Sequence, residues 1–344
     1  MNLNLRRYMN TIKKIGVSAL AGSLAMTAAN AVEYSMSGDA IIKYASIDSP
    51  TAGGQASNGK GVGVDTDLAF TASGELDNGY TVSFFQAANT HSAWSNSSSQ
   101  VTIGMGSMGT LQINNVAGAK ANGIDDVMPA AYNETWDGLA LATDNPSFFG
   151  SATASGSIDY RIPAQEIEGV TLNASITIDP QAEEGAPAAG GVGTTSNSGR
   201  AFTVQMSHDS GLEVGAGLEE VESGTVGGTD EESVTVYAKY SAGPLSVGYQ
   251  EAYQNTVDGG EDLEAEFWSV AYTAGDMSVS YGESTYTNHG ISTTTSLDRE
   301  LEALQLSYSM GAMTFGAAMA ETGNAGGSSG AKHEETELSV SFAF

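Results

Sequence analysis

Residues 64–84 read VDTDLAFTASGELDNGYTVSF. Val64, Leu68, Phe70, Ala72 and Leu76 share one parity, while Asp65, Asp67, Ala69, Thr71, Ser73 and Glu75 share the other. Side chains of a strand alternate between two faces, so a period of two with one apolar face predicts a strand. The short turn Asp77-Asn78-Gly79 then leads into Tyr80, Val82 and Phe84, and Asn-Gly between two alternating runs is the strongest short-range hairpin signal. The stretch therefore predicts two antiparallel strands, each apolar on one face only.

The same unit recurs in both directions along the chain. Upstream, residues 32–45 alternate Tyr34, Met36, Gly38, Ala40, Ile42 and Tyr44 against Ser35, Ser37, Asp39, Ile41 and Lys43. Downstream, strands are predicted over 100–106 and 109–114, 156–163 and 170–178, 200–208 and 212–220, 233–240 and 245–251, 263–272 and 277–285, 299–308 and 313–321, and finally 334–344. That makes sixteen segments, with short turns alternating with longer Gly/Ser/Asp/Glu-rich loops. An even strand number, short turns at one end and long loops at the other are the marks of a transmembrane barrel. Tyr34, Tyr80, Tyr240, Tyr272, Tyr308 and Phe344 all stand beside a short turn or a chain terminus with the parity of the apolar face, which predicts an aromatic girdle at one interface. A soluble sandwich would put aromatics in strand middles as much as at strand ends, and sixteen strands without a linker are long for one.

The N-terminal residues form a different unit. Arg6, Arg7, Lys13 and Lys14 precede an apolar run from Ile15 to Met26 and then Ala29-Asn30-Ala31, the pattern of a secretory signal over residues 1–31, leaving 32–344 as one barrel domain. The chain's formal net charge is -29, and removing these four cations makes the remainder more acidic still. Such a chain repels nucleic acid and favours cations. It has no cysteine, hence neither a disulfide framework nor a thiolate metal site. Beyond the signal no stretch is continuously apolar over the ~18 residues a helical span requires. His91, His208, His289 and His333 are isolated, no Gly-x-Ser-x-Gly elbow occurs, and Gly190-Gly191-Val192-Gly193 lacks the Lys of a phosphate loop, so no enzyme is expected.

One run, residues 115–155, does not read as a strand although strands flank it. A loop of about forty residues in a compact domain needs a task. In a closed barrel it either stands above the rim or folds into the lumen, and the second placement would narrow a pore.

These residues resemble the trimeric general porins of the Gram-negative outer membrane, in the alphaproteobacterial-type branch. The resemblance is carried by Tyr34-Ser35-Met36-Ser37-Gly38-Asp39-Ala40, Ser73-Gly74-Glu75-Leu76-Asp77-Asn78-Gly79, residues 101–111 (VTIGMGSMGTL), Ser157-Ile158-Asp159-Tyr160-Arg161 and the terminal Leu338-Ser339-Val340-Ser341-Phe342-Ala343-Phe344. It implies an all-β fold: a sixteen-stranded antiparallel transmembrane β-barrel with an inward-folded third outer loop, here residues 115–155. It also implies a homotrimer, export to the outer membrane, contact with outer-membrane lipid and lipopolysaccharide, and recognition of Phe344 by the assembly machinery. Two features depart from the family pattern: Asn114-Asn115 stands where many relatives have Gly-Arg, and Pro146-Ser147-Phe148-Phe149-Gly150 is a poor match to the Pro-Glu-Phe-Gly-Gly of enteric porins.

In the family, carboxylates of the inward loop face basic residues across the pore. The candidates here are Asp125, Asp126, Glu134, Asp137 and Asp144. Parity turns Asp39, Lys43, Asp65, Asp67, Arg161 and Lys239 toward the lumen as pore-wall residues, together with Glu75, Asp159, Glu213 and Glu219, so a net negative lumen is expected. Rings of Asp and Glu favour cations. The expectation is a water-filled channel for passive diffusion of small hydrophilic solutes and ions, with a preference for cations. No cofactor is required, while Ca²⁺ or Mg²⁺ has candidate oxygen ligands at Asp65-Thr66-Asp67, Asp125-Asp126 and Asp230-Glu231-Glu232. Two other readings stay open: a substrate-specific channel, and a structural or adhesion barrel whose acidic loops bind lipopolysaccharide through divalent ions.

Overall fold

The computed structural model describes residues 32–48, 59–89, 95–115, 123–124, 127–133, 156–180, 198–222, 229–255, 262–288, 298–325 and 329–344. They build one antiparallel sheet. Its strands are β1 (Glu33–Asp48), β2 (Gly59–Glu75), β3 (Thr81–Asn89), β4 (Ser95–Gly104), β5 (Thr110–Asn115), β6 (Ile158–Arg161), β7 (Gln165–Ile167), β8 (Val170–Asp179), β9 (Gly199–His208), β10 (Leu212–Val221), β11 (Glu231–Ala242), β12 (Leu245–Asn255), β13 (Leu263–Ala274), β14 (Met277–Asn288), β15 (Arg299–Met310), β16 (Met313–Gly323) and β17 (Lys332–Ala343). β1 pairs with β2 on one side and with β17 on the other, so the sheet closes on itself. Closure removes every free edge, the condition for β-structure in a bilayer.

Seventeen segments make sixteen staves, because β6 and β7 both pair with β8. Arg161 lies opposite Ser175, whereas Gln165 lies opposite Leu172, so the β6–β7 side carries one extra residue. The interruption contains Pro163, which has no N–H to give to the ladder, and a bulge is where a strand tolerates it. β1 runs on to Asp48 and β2 begins at Gly59, so strand extends beyond the alternating segments 32–45 and 64–76 into the Gly/Ser/Asp-rich residues between them. The ladder needs only backbone, and it continues past the point where the apolar alternation stops.

Register sorts side chains into two faces, since residues directly opposite in an antiparallel pair point the same way. One face presents exposed apolar groups, among them Phe70, Phe84, Phe202, Leu304 and Phe315, and this is the outer surface. The other carries Gln, Ser, Thr and charged residues and faces the lumen. Tyr34, Tyr240, Tyr272, Tyr308 and Phe344 lie exposed at the short-turn end as the girdle predicts, and Phe344 closes the ring by donating its N–H to the Gly38 carbonyl (2.9 Å).

A second polar belt, at the loop-side half of β12–β17, is not evident from composition. On the outer face Glu251 lies opposite Glu266, Glu283 opposite Glu302, and Glu321 opposite Glu334. Like charges facing each other across a ladder are destabilising, and each pair here has a shared donor. The Tyr249 hydroxyl lies 2.5 Å from Glu251 and 3.2 Å from Glu266 and the Tyr281 hydroxyl 2.7 Å from both Glu283 and Glu302, each with one proton to share between two carboxylates, and the Lys332 ammonium sits 2.8 and 2.9 Å from Glu321 and Glu334. Trp268 adds its indole N–H to Glu283 (3.2 Å). Aromatic and carboxylate groups together mark the upper border of the apolar band.

Candidate functional site

Within the long loop after β5, residues 123–124 and 127–133 lie inside the barrel against β12–β17. The wall holds their backbone through side chains, almost one stave at a time. Gln250 of β12 accepts the Val127 N–H (3.2 Å) and donates to the Ile124 carbonyl (3.0 Å). Ser269 of β13 donates to the Pro129 carbonyl (2.7 Å), and Ser280 of β14 accepts the Ala131 N–H (2.8 Å). Gln305 of β15 accepts from both Tyr132 N–H (3.1 Å) and Asn133 N–H (3.0 Å). The Tyr132 hydroxyl then reaches Glu337 of β17. A backbone folded away from water must find such partners, because an unmet buried N–H or C=O costs about 1–3 kcal/mol. These wall side chains are in turn buried, Gln250 to 0% exposure and Gln305 to 2%.

Apolar packing joins the polar anchors. Ile124, Val127 and Met128 form one cluster with Ala201, Tyr237, Ala252, Ala265 and Phe267, with Leu263, Tyr286 and Leu301 against it. This core inside a lumen leaves a trace in the sequence of β13. From the turn end, Tyr272, Val270 and Trp268 point outward; beyond them Phe267, Ala265 and Leu263 point inward, while Glu266 and Glu264 point outward. The alternation reverses its chemistry without an inserted residue, so both environments change at one height: the inner face becomes covered by protein as the outer face leaves the acyl layer.

The pore-wall residues expected from parity all face inward. Asp39 and Asp67 lie directly opposite each other on β1 and β2. Asp65, on the same face, accepts from the Asn89 side-chain amide (3.3 Å) and the Thr66 N–H (2.9 Å). The three expected bases are each matched to a carboxylate. Lys43 lies 3.4 Å from Glu337, the acceptor of the Tyr132 latch, and Lys239 lies 3.3 Å from Glu213, which also accepts from Tyr237 (2.9 Å). Arg161 lies 2.7 Å from the fully buried Asp159, whose other oxygen accepts from Thr177 (2.8 Å). Arg299 also points inward, over the ring of Tyr286 at 4.9 Å. Asp125, Asp126, Glu134, Asp137 and Asp144 lie outside the described residues, as do residues 1–31. Among the described residues no group of three or more His, Asp or Glu is arranged to hold a metal ion.

The anchors themselves, Gln250, Ser269, Ser280, Gln305, Tyr132 and Glu337, are the functional residues that parity alone does not single out. An inward Gln looks the same whether it lines water or holds a loop. The reversed alternation of β13 is the available signal.

A closed barrel, apolar outside and polar inside, with a chain segment fixed across part of its lumen, defines a transmembrane channel protein. The chain belongs to the Gram-negative porin family, whose sequence pattern matches residues 16–343. Its fold is similar to the anion-selective porin of Comamonas acidovorans (TM-score 0.65, 14% identity, 91% of this chain and 100% of that one) and to OmpT of Vibrio cholerae (TM-score 0.61, 13% identity, 93% and 99%). It is also similar to a variant of the Rh. blastica porin (TM-score 0.57, 14% identity, 90% and 100%). At these identities the likeness establishes the fold. No curated protein matches the chain by sequence. Family and architecture together place it in the outer membrane as a channel for passive diffusion.

Proposed function

We propose that the channel admits small hydrophilic solutes and ions with a preference for cations, and that residues 115–155 form its constriction. The observation that carries the charge preference is the balance on the inner wall: Asp39, Asp65 and Asp67 converge on β1 and β2, while Lys43, Arg161 and Lys239 each stand beside a carboxylate that offsets them. Among the described inward residues, Arg299 included, carboxylates outnumber bases. Screening reaches ~8 Å at physiological ionic strength and only ~3 Å at 1 M, so the preference belongs to dilute media. Asp125, Asp126, Glu134, Asp137 and Asp144 of the same loop would add to it. Reversal potentials of the reconstituted protein across a dilute KCl gradient test this, and an anion preference overturns it.

The constriction reading is supported by the seat of residues 123–124 and 127–133 on the inner wall. Deleting residues 123–144 should raise the single-channel conductance; an unchanged conductance removes the loop from this role. OmpT of Vibrio cholerae has a trimer form, and a homotrimer is the assembly we expect here, read out as three equal conductance steps.

A further inference from the structure

The inward segment approaches the wall closely at two places where the wall residue is glycine. Gly248 of β12 and Gly316 of β16 both point their missing side chains inward, opposite Lys239 and Ser339 respectively. A β-carbon built on Gly248 would lie 2.8 Å from the Pro129 ring and 2.9 Å from the Met128 sulfur, and one on Gly316 would run into the Tyr132 ring and come within 2.6 Å of the Ser339 hydroxyl, the movable end of its cross-strand neighbour. Real β-carbons essentially never come so near a neighbour. Neither glycine serves a turn, and neither has the positive φ that only glycine tolerates with ease. In a strand interior glycine is otherwise a poor choice, since β-branched residues are preferred there. What the two positions supply is room.

We propose that Gly248 and Gly316 are positioning residues that set the aperture of the channel: two notches that let the inward segment lie flush with the wall. A side chain at either position lifts the segment toward the lumen axis and narrows the water path. This rests on the reading of residues 127–133 as part of the constriction. The sign of the effect is opposite to that of loosening the loop, which widens the path.

The test is single-channel conductance of reconstituted protein in 1 M KCl, where charge is screened and the step reports width. Gly248→Val and Gly316→Val should each lose conductance relative to the parent protein. Gly63→Val, an inward position opposite Lys43 with nothing within 4 Å of the added carbon, should not. Removing the loop separates narrowing from a damaged strand: Gly248→Val in the 123–144 deletion, which takes away both Met128 and Pro129, should match the deletion alone. If a valine variant loses the folded barrel on a native gel, Gly248→Ala and Gly316→Ala carry the same test. Conductance equal to or above that of the parent in folded Gly248 and Gly316 variants overturns the proposal. If deletion of 123–144 still raises conductance in that case, the constriction reading stands and only the notches fall; if the deletion changes nothing, the constriction reading itself has failed.

Discussion

The inner wall has two halves that share one alternation and do different work. On β12–β17 the inward side chains that meet the loop are mostly neutral amides and hydroxyls, buried by a segment of the chain's own backbone. On β1 and β2 the inward face carries the carboxylates Asp39, Asp65 and Asp67, half-exposed along the lumen. A neutral amide both donates and accepts, so it can satisfy peptide groups without bringing charge into a site that water has left. A carboxylate only accepts and is costly to bury, so it belongs where water reaches. The seat for the loop and the lining for the ion path thus differ by the protonic versatility of their side chains, not by strand geometry.

The largest effect should come from removing the seat. Gln250→Ala with Gln305→Ala removes four hydrogen bonds to the peptide groups of Ile124, Val127, Tyr132 and Asn133, at about 1–3 kcal/mol for each group left unmet. The expected outcome is a noisy, wider channel with protease cleavage near residue 130, while the barrel keeps its gel mobility. Next comes the lining: Asp39→Asn with Asp67→Asn should reduce the cation-to-anion permeability ratio in 0.1 M salt and change it little at 1 M. If that ratio stays the same in dilute salt, the two halves do not divide their tasks in this way.

Glu337→Gln touches both halves at once and should act more mildly. It takes the offsetting charge from Lys43, so the permeability ratio should fall, while an amide can still accept from Tyr132 and the conductance step should hold. Tyr132→Phe should do the reverse, disturbing the step without moving the ratio. Smallest of all, Ser269→Ala removes one hydrogen bond to the loop, about 1 kcal/mol, and should raise current noise slightly with selectivity unchanged.

Much of this architecture is legible in the sequence. Period two, the Asn-Gly turn at 77–79 and the alternation of short and long connections yield the stave count and the inward direction of Lys43, Arg161 and Lys239. Pro163 leads to a split stave rather than a strand end because the two pieces share one partner, and pairing partners are not written locally. The seat is less visible for a related reason. The wall that the loop covers lies more than 100 residues away in sequence, as between Val127 and Gln250, and an inward Gln or Ser reads alike in both settings. Where covering the lumen required apolar contact, as at Leu263, Ala265 and Phe267, the local pattern changes.

The outer belt of paired glutamates with Tyr249, Tyr281 and Lys332 fixes how deep the barrel sits. Charged groups on the lipid face cost least at the interface and most at the midplane, so the membrane's outer border must run along Glu251, Glu266, Glu283, Glu302, Glu321 and Glu334. Below them only a few outward positions per stave separate this border from the lower girdle at Tyr272 and Tyr308. On that side the protein is shaped for a thin acyl layer, and a thicker bilayer would have to yield to it locally.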